Sequence, residues 1–381
     1  QQIDLQIIVL YRSSVWRLSH LTNAWQSHAY PNRSLTSESI AMRVIIVEKP
    51  FSAEMLLPIA SKFWPGEPIV IVAIHFAVFT HSFSFPSRSS YRNLPAVVEP
   101  KYDTEKWFLQ WEGKAYIRAY TGYDGVQIKR ENFNNSESLR AFLLNATSVS
   151  FACDWDPTGA LIFDQSIVSF LPEFAGTVMP VIKIQSTSDD HILKALLNPI
   201  TTEHPVFQAM LNASKIKRYF EYNFHLNGNV ILGDLYRHLS GQAGMAAISK
   251  YMLLMLFHTQ QAGGVKEHLA HHVMEKWKGK DNSNGKTSPM GSPASRHPIM
   301  SNSVKMGLLS IEEGLYRPTP LGSEFLNSLH KDCYDPYLPQ RIEGWQALPY
   351  ETAKPLMDTY LKTFFKKQKR FQASIIKKAS V

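Results

Sequence analysis

Val44-Ile45-Ile46-Val47-Glu48-Lys49-Pro50 and Phe151-Ala152-Cys153-Asp154-Trp155-Asp156-Pro157-Thr158-Gly159 are the two stretches on which the reading of this chain turns. Four β-branched residues in a row read as a strand buried in a parallel sheet, and the run ends in a carboxylate, Glu48. The second stretch is a short apolar run that ends in two acids one residue apart, Asp154 and Asp156, followed by Pro and Gly. In a parallel α/β sheet, ligands bind beyond the carboxyl ends of the strands. If the two strands are neighbours, Glu48, Asp154 and Asp156 meet there. Three carboxylates in one crevice repel one another unless a cation neutralises them. An all-oxygen ligand set with room for water and phosphate suits Mg²⁺.

The rest of the sequence sets bounds. The chain has 381 residues, 44% hydrophobic and 19% charged, which is ordinary globular composition and enough for two or three domains. A formal charge of +8 permits a polyanionic partner without establishing one. Two cysteines, Cys153 and Cys333, give neither a disulfide framework nor a zinc ribbon. A reducing, cytoplasmic setting is the default expectation. No stretch reaches the roughly 18 consecutive apolar residues of a membrane span. Residues 1–41 lack the order of a secretory signal and read as a poorly ordered segment appended to the fold.

Along the chain, Phe51 to Phe63 reads as a helix with Ser52 as its cap and a possible kink at Pro58. Ile69 to Phe79 reads as a second strand containing His75, and Tyr102 to Ile128 as aromatic-rich strands whose rings belong to a core. Ser136 to Leu144 and Gly159 to Phe170 read as helices, and Val178 to Ile184 as the strand that closes the sheet. Alternating strands and helices over 42–185 predict an α/β domain with a parallel sheet. From 186 to 381 the pattern is mainly helical. It includes helices at Pro205–Phe220, Ala246–Phe257, His297–Leu309, Leu321–Leu329 and Lys354–Lys369, a short strand at Leu315–Pro318, and a flexible polar loop at about 278–295.

A strand ending Val47-Glu48-Lys49-Pro50 with a later Asp154-x-Asp156 turn resembles the TOPRIM signature. The Lys-Pro after the glutamate is similar to type IA DNA topoisomerases, topoisomerase III in particular. Three further segments resemble that family in chain order: Leu94-Pro95, Gly291-Ser292-Pro293-Ala294-Ser295-Arg296, and Tyr316-Arg317-Pro318-Thr319-Pro320-Leu321-Gly322. The resemblance implies a Rossmann-like TOPRIM domain followed by a mainly helical topoisomerase-like domain. It departs from the family after Asp156, where Pro157-Thr158-Gly159-Ala160 stands in place of a segment carrying an arginine and two glutamates. The span between 185 and 290 is also too short for the family's large arch.

The resemblance implies a Mg²⁺-dependent isomerase that cuts and rejoins one DNA strand. Glu48 would move the proton, Asp154 and Asp156 would share the Mg²⁺ with it, and Lys49 would meet a phosphate. Arg296 and the basic residues of the last helix, Lys362, Lys366, Lys367 and Arg370, would hold DNA, single-stranded by expectation, with no membrane and no small-molecule cofactor involved. Strand cleavage of this kind needs a tyrosine nucleophile. No catalytic tyrosine motif is present. Tyr236, beside Arg237, is the leading candidate, although an ordinary structural tyrosine is the blander reading. Two other readings stay open: a DNA-binding relic of a topoisomerase, and a TOPRIM nuclease that needs no tyrosine.

Overall fold

The computed structural model describes residues 42–74, 93–100, 110–111, 114–115, 117–242, 247–279 and 287–379. The expectations for residues 1–41, His75 and residues 102–109 lie outside them, as does the middle of the 278–295 loop. The chain divides into two compact units, residues 1–80 with 102–214 and residues 81–101 with 215–381. The first unit runs on to residue 214, past the expected boundary at 185, and the last strand of its sheet, Ile200–Thr201, lies beyond that boundary.

The first unit is built on a seven-stranded sheet. Its strands are β1 (Met42–Val47), β2 (Ile69–Ile74), β3 (Ile117–Tyr123), β4 (Val126–Asn132), β5 (Ala146–Phe151), β6 (Pro180–Val181) and β7 (Ile200–Thr201), ordered β4-β3-β2-β1-β5-β6-β7. β2, β1, β5 and β6 run parallel, and β4, β3 and β7 are antiparallel additions at the two sides. Pro180–Val181 thus joins the parallel set, as Val178–Ile184 was expected to, but β7 closes the edge. The β3–β4 hairpin turns at Asp124-Gly125, both at positive φ, the backbone that a two-residue hairpin loop of this kind requires.

The β-branched run of β1 is explained by cover on both faces. Val44 and Ile46 face a core shared with Phe151, Phe163 and Phe207, whereas Ile45 and Val47 face one shared with Leu56, Leu57 and Ile192. Helix α1 (Pro50–Phe63) covers the second face with Ala53, Leu56, Leu57 and Ala60. Its cap position is Lys49 and not Ser52, because Pro50 takes the first helical position, where a missing N–H costs nothing. Pro58 lies on the exposed side of this helix, where water can hydrate the carbonyl left without a donor. Helices α2 (Ser136–Leu144) and α3 (Pro157–Phe170) contribute Leu139, Leu143, Ile162 and Phe163 to the first face, and α4 (Asp189–Leu197) adds Ile192 and Leu196 to the second.

Helix α5 (Pro205–Ser240) runs on where an end at Phe220 was expected. Its residues 205–214 belong to the first unit and the remainder to the second. The second unit packs α5 with α6 (Lys250–Gln261), α7 (Ala270–Glu275), α8 (Pro293–Lys305), α9 (Pro320–Asn327), α10 (Leu338–Gln346) and α11 (Tyr350–Ala379). A small sheet accompanies them, ordered β8 (Val265–Lys266), β10 (Leu315–Pro318), β9 (Leu309–Glu312).

Two fully buried asparagines one turn apart on α5 replace apolar core residues here. Asn227 donates to the Ala96 carbonyl and accepts from the Ala96 N–H, at 2.7 and 2.9 Å. Asn223 does the same for Val98, at 2.9 and 2.8 Å. They hold an irregular segment beside a helix by satisfying its backbone as a neighbouring strand would. The described part of the 278–295 stretch is also packed and not loose. Ser288 and Met290 are fully buried, Ser288 donates to Glu343 at 2.9 Å, and α8 already starts at Pro293. No helix among the described residues is long and apolar enough to cross a membrane.

Candidate active site

β1 and β5 are adjacent and parallel, with Ile46 opposite Phe151, so Glu48 and Asp154 leave the sheet side by side at the same end. The pairing continues past the strand, where the Ala152 N–H donates to the Ile46 carbonyl at 2.9 Å. Asp156 follows on the same turn. Its Oδ1 accepts the Gly159 N–H at 2.8 Å and so caps α3, with Pro157 at the first helical position. Gly159 is required by close approach, since a Cβ there would lie 2.2 Å from the Asp154 carbonyl oxygen. The turn that carries both acids is therefore pressed against the start of α3.

Lys49 bridges the two strand ends. Its ammonium is paired with Asp154 and stands 3.9 Å from Glu48. The site is graded in exposure: Glu48 is only 6% exposed, while Lys49 and Asp154 reach solvent. Burial pushes the Glu48 carboxyl up to about 7. The Asp154 charge adds to the rise, Lys49 opposes it, and Asp156 contributes last. The hydrogen bond to Asp154 is the main cause holding Lys49 above its ordinary value. The Cys153 thiol is pushed well up, by its burial first and by the surrounding carboxylates second, and is no nucleophile. One carboxyl that changes charge near neutrality, one fixed cation and two further carboxylates form an arrangement able to hold a phosphate and move a proton beside it.

Among the described residues, no group of three or more His, Cys, Asp or Glu side chains is arranged to hold a metal ion. The physical reason is visible in the site: the Lys49 ammonium occupies the space between Glu48 and Asp154, and one oxygen of Asp156 is committed to the cap. Asp154 and Asp156 nevertheless line one cavity of about 500 Å³. Mg²⁺ is commonly held through one or two carboxylates together with substrate phosphate, so this pair fits a substrate-assisted Mg²⁺. Glu48, buried and raised towards neutrality, fits proton transfer and not the three-carboxylate cage that the sequence suggested.

The remaining expected site residues divide. Tyr236 is 3% exposed, and its hydroxyl donates to the Met306 carbonyl at 2.7 Å. It lies inside continuous α5, where Arg237, about 100° away around the axis, pairs with Asp234. The loop needed to turn both side chains to one phosphate is absent, and Tyr236 is a structural residue. Arg296 is also buried, at 7% exposure, with a guanidinium nitrogen 3.4 Å from the Gly291 carbonyl, and does not present itself to DNA as expected. On α11, Lys362, Lys366 and Arg370 are exposed and four residues apart, so they form one basic stripe. Lys367 leaves that stripe to pair with Asp332.

Sequence reasoning missed the Lys49–Asp154 pair, whose partners are 105 residues apart. It also missed the cap role of Asp156, although Asp-Pro ahead of a helix is a legible start signal. A larger cavity of about 620 Å³ in the second unit is walled by Trp345, Tyr360 and Phe364. Its edge carries two ion pairs, Asp332 with Lys367 and Asp335 with Arg341.

No family model matches the chain. No curated protein matches it. Among solved structures, full-length topoisomerase I from Thermotoga maritima is similar at 14% identity with a TM-score of 0.35. The match covers 60% of this chain, which spans 30% of that protein.

Proposed function

We propose that the first unit is the cleavage centre of a DNA-processing enzyme of type IA topoisomerase kind: a tyrosine other than Tyr236 attacks a strand phosphate, the phosphotyrosyl bond forms as the bond to a deoxyribose oxygen breaks, that oxygen leaves as a hydroxyl, and the reverse step rejoins the strand. The observation that supports this most directly is the convergence of Glu48, Lys49, Asp154 and Asp156 at the carboxyl ends of two adjacent parallel strands, in the chain order of the TOPRIM signature. The Lys49 ammonium binds the phosphate and, in doing so, exchanges Asp154 for a phosphate oxygen. Asp154 and Asp156 would hold Mg²⁺, which would supply charge neutralisation at the phosphate. Glu48, poised near neutrality, exchanges a proton with the attacking or departing oxygen. On the second unit, the stripe of Lys362, Lys366 and Arg370 binds DNA phosphates.

A second reading is favoured by one observation. Tyr236 is sealed in the core with its hydroxyl engaged, which favours a centre of the TOPRIM nuclease kind with water as the attacking group. Supercoil relaxation in Mg²⁺, run beside a nicking assay and a denaturing quench with labelled DNA, separates the readings. Relaxation with a covalent protein–DNA adduct supports the topoisomerase. Nicking without an adduct supports the nuclease. Neither activity in wild-type protein refutes both and leaves a DNA-binding relic.

A further inference from the structure

The cavity beside the acids carries features that phosphate chemistry does not use. Trp155 stands between Asp154 and Asp156 and lines this cavity. Phe51, in the first turn of α1, is 66% exposed and lines the same cavity. Met55 and Ile184 extend the apolar wall, and Ser52 and Thr187 add hydroxyls. Two aromatic side chains lining one cavity suit a flat apolar ligand, whereas a phosphate alone needs cations and N–H donors, not rings. The loop that forms the far wall is anchored, since the Gln185 N–H donates to His191 Nε2 at 3.1 Å. Lys183, two residues beyond β6, places its ammonium 5.1 Å from the centre of the Trp155 ring.

We propose that this cavity is a nucleotide pocket. One base of the bound strand lies against Trp155 with Phe51 as the second aromatic wall, and the adjoining phosphate reaches Lys49. The volume of about 500 Å³ falls within the usual range for small-molecule sites. An aromatic face stacks any base, so the pocket reads the presence of a base and not its identity. A base can be presented in this way only from a single strand or an unpaired end, because in duplex DNA its faces are covered by its neighbours. The inference rests on the cleavage reading only in assigning Lys49 to a phosphate.

The test uses the full chain and two probes of equal charge, deoxythymidine 5′-monophosphate and deoxyribose 5-phosphate, with tryptophan fluorescence as readout. The base-bearing probe should quench the wild type, and the component due to Trp155 should vanish in Trp155→Phe, which keeps an aromatic ring in place. Deoxyribose 5-phosphate should leave the signal unchanged. Phe51→Ala, at a solvent-exposed position, should weaken the base-bearing probe at least about fivefold, the lower limit for stacking one base on an aromatic side chain. A parallel comparison of base-bearing and abasic oligonucleotides of equal length should show the same loss of preference. Equal response to both probes, or an undiminished preference in Phe51→Ala, overturns the pocket. Nicking without any base-dependent signal overturns the pocket and spares the cleavage reading. Base-dependent quenching without nicking spares the pocket and overturns cleavage.

Discussion

Glu48→Gln should stabilise the protein, and the gain should depend on pH in a defined direction. Glu48 titrates at an ordinary 4.5 in the unfolded chain and at about 7 when folded, chiefly because it is buried. A group whose folded value is raised binds its proton more tightly in the folded state. Below 4.5 both states are protonated and the shift has no effect on stability. Between 4.5 and 7 the unfolded chain releases its proton first, so stability falls as pH rises, and above about 7 the loss is complete. At 1.36 kcal/mol for each pH unit, the loss is about 3 kcal/mol. Gln has the same shape and no titration, so the variant should exceed the wild type by about 3 kcal/mol more at pH 8 than at pH 4.5. For a domain of about 150–250 residues this is a difference of roughly 6–12 °C in Tm. Urea unfolding of both proteins in metal-free buffer at pH 4.5, 6, 7 and 8 measures it. A difference that stays flat across that series, or grows towards acid, would refute the burial of a titrating Glu48.

Asn227→Leu should destabilise the second unit by about 1–3 kcal/mol, because the N–H and carbonyl of Ala96 lose their partners, and denaturant unfolding reads that loss. Replacing Lys362, Lys366 and Arg370 together with Ala should weaken binding to single-stranded DNA and lower the slope of log K against log salt by about 0.7 for each phosphate no longer neutralised. An unchanged slope would remove α11 from the interface. Tyr236→Phe should cost about 1 kcal/mol through the hydrogen bond to Met306 and leave strand cleavage at its wild-type rate. Loss of cleavage in that variant with normal stability would return Tyr236 to the chemistry.

The parallel core was legible because its cause is local. Val44 to Val47 and Ile69 to Ile74 are continuous apolar runs, as strands covered on both faces must be, and the acids follow them directly. The helix at Ser136–Leu144 and the strand at Leu315–Pro318 were readable for the same reason, with a turn or cap at each end. The continuation of α5 through Glu221–Ser240 was not. Its two core asparagines look polar in a linear pattern, and their partners at Ala96 and Val98 lie more than a hundred residues away. Arg296 misled in the opposite direction: a basic residue at the start of a helix reads as exposed, whereas this one is enclosed by its own turn. At the site, residue types indicated three acids in one place, but not that Lys49 would stand between two of them. That arrangement is set by how the side chains fill the space beyond the sheet, which spacing along the chain does not encode.

The central claim is that Glu48, Lys49, Asp154 and Asp156 cut a DNA strand with Glu48 handling the proton. It is tested most directly by the single-turnover rate of nicking of end-labelled single-stranded DNA in Mg²⁺, measured from pH 5 to 9 for wild type and Glu48→Gln. The wild type should cleave with a rate that changes about tenfold per pH unit on one side of a single midpoint, set by the charge change of Glu48. Glu48→Gln should lose that dependence together with about 10²–10⁴-fold of the rate, the range expected for removal of a positioned general acid or base. Cleavage by Glu48→Gln at the wild-type rate with the same pH profile, or no cleavage by the wild type at any pH, would contradict the account.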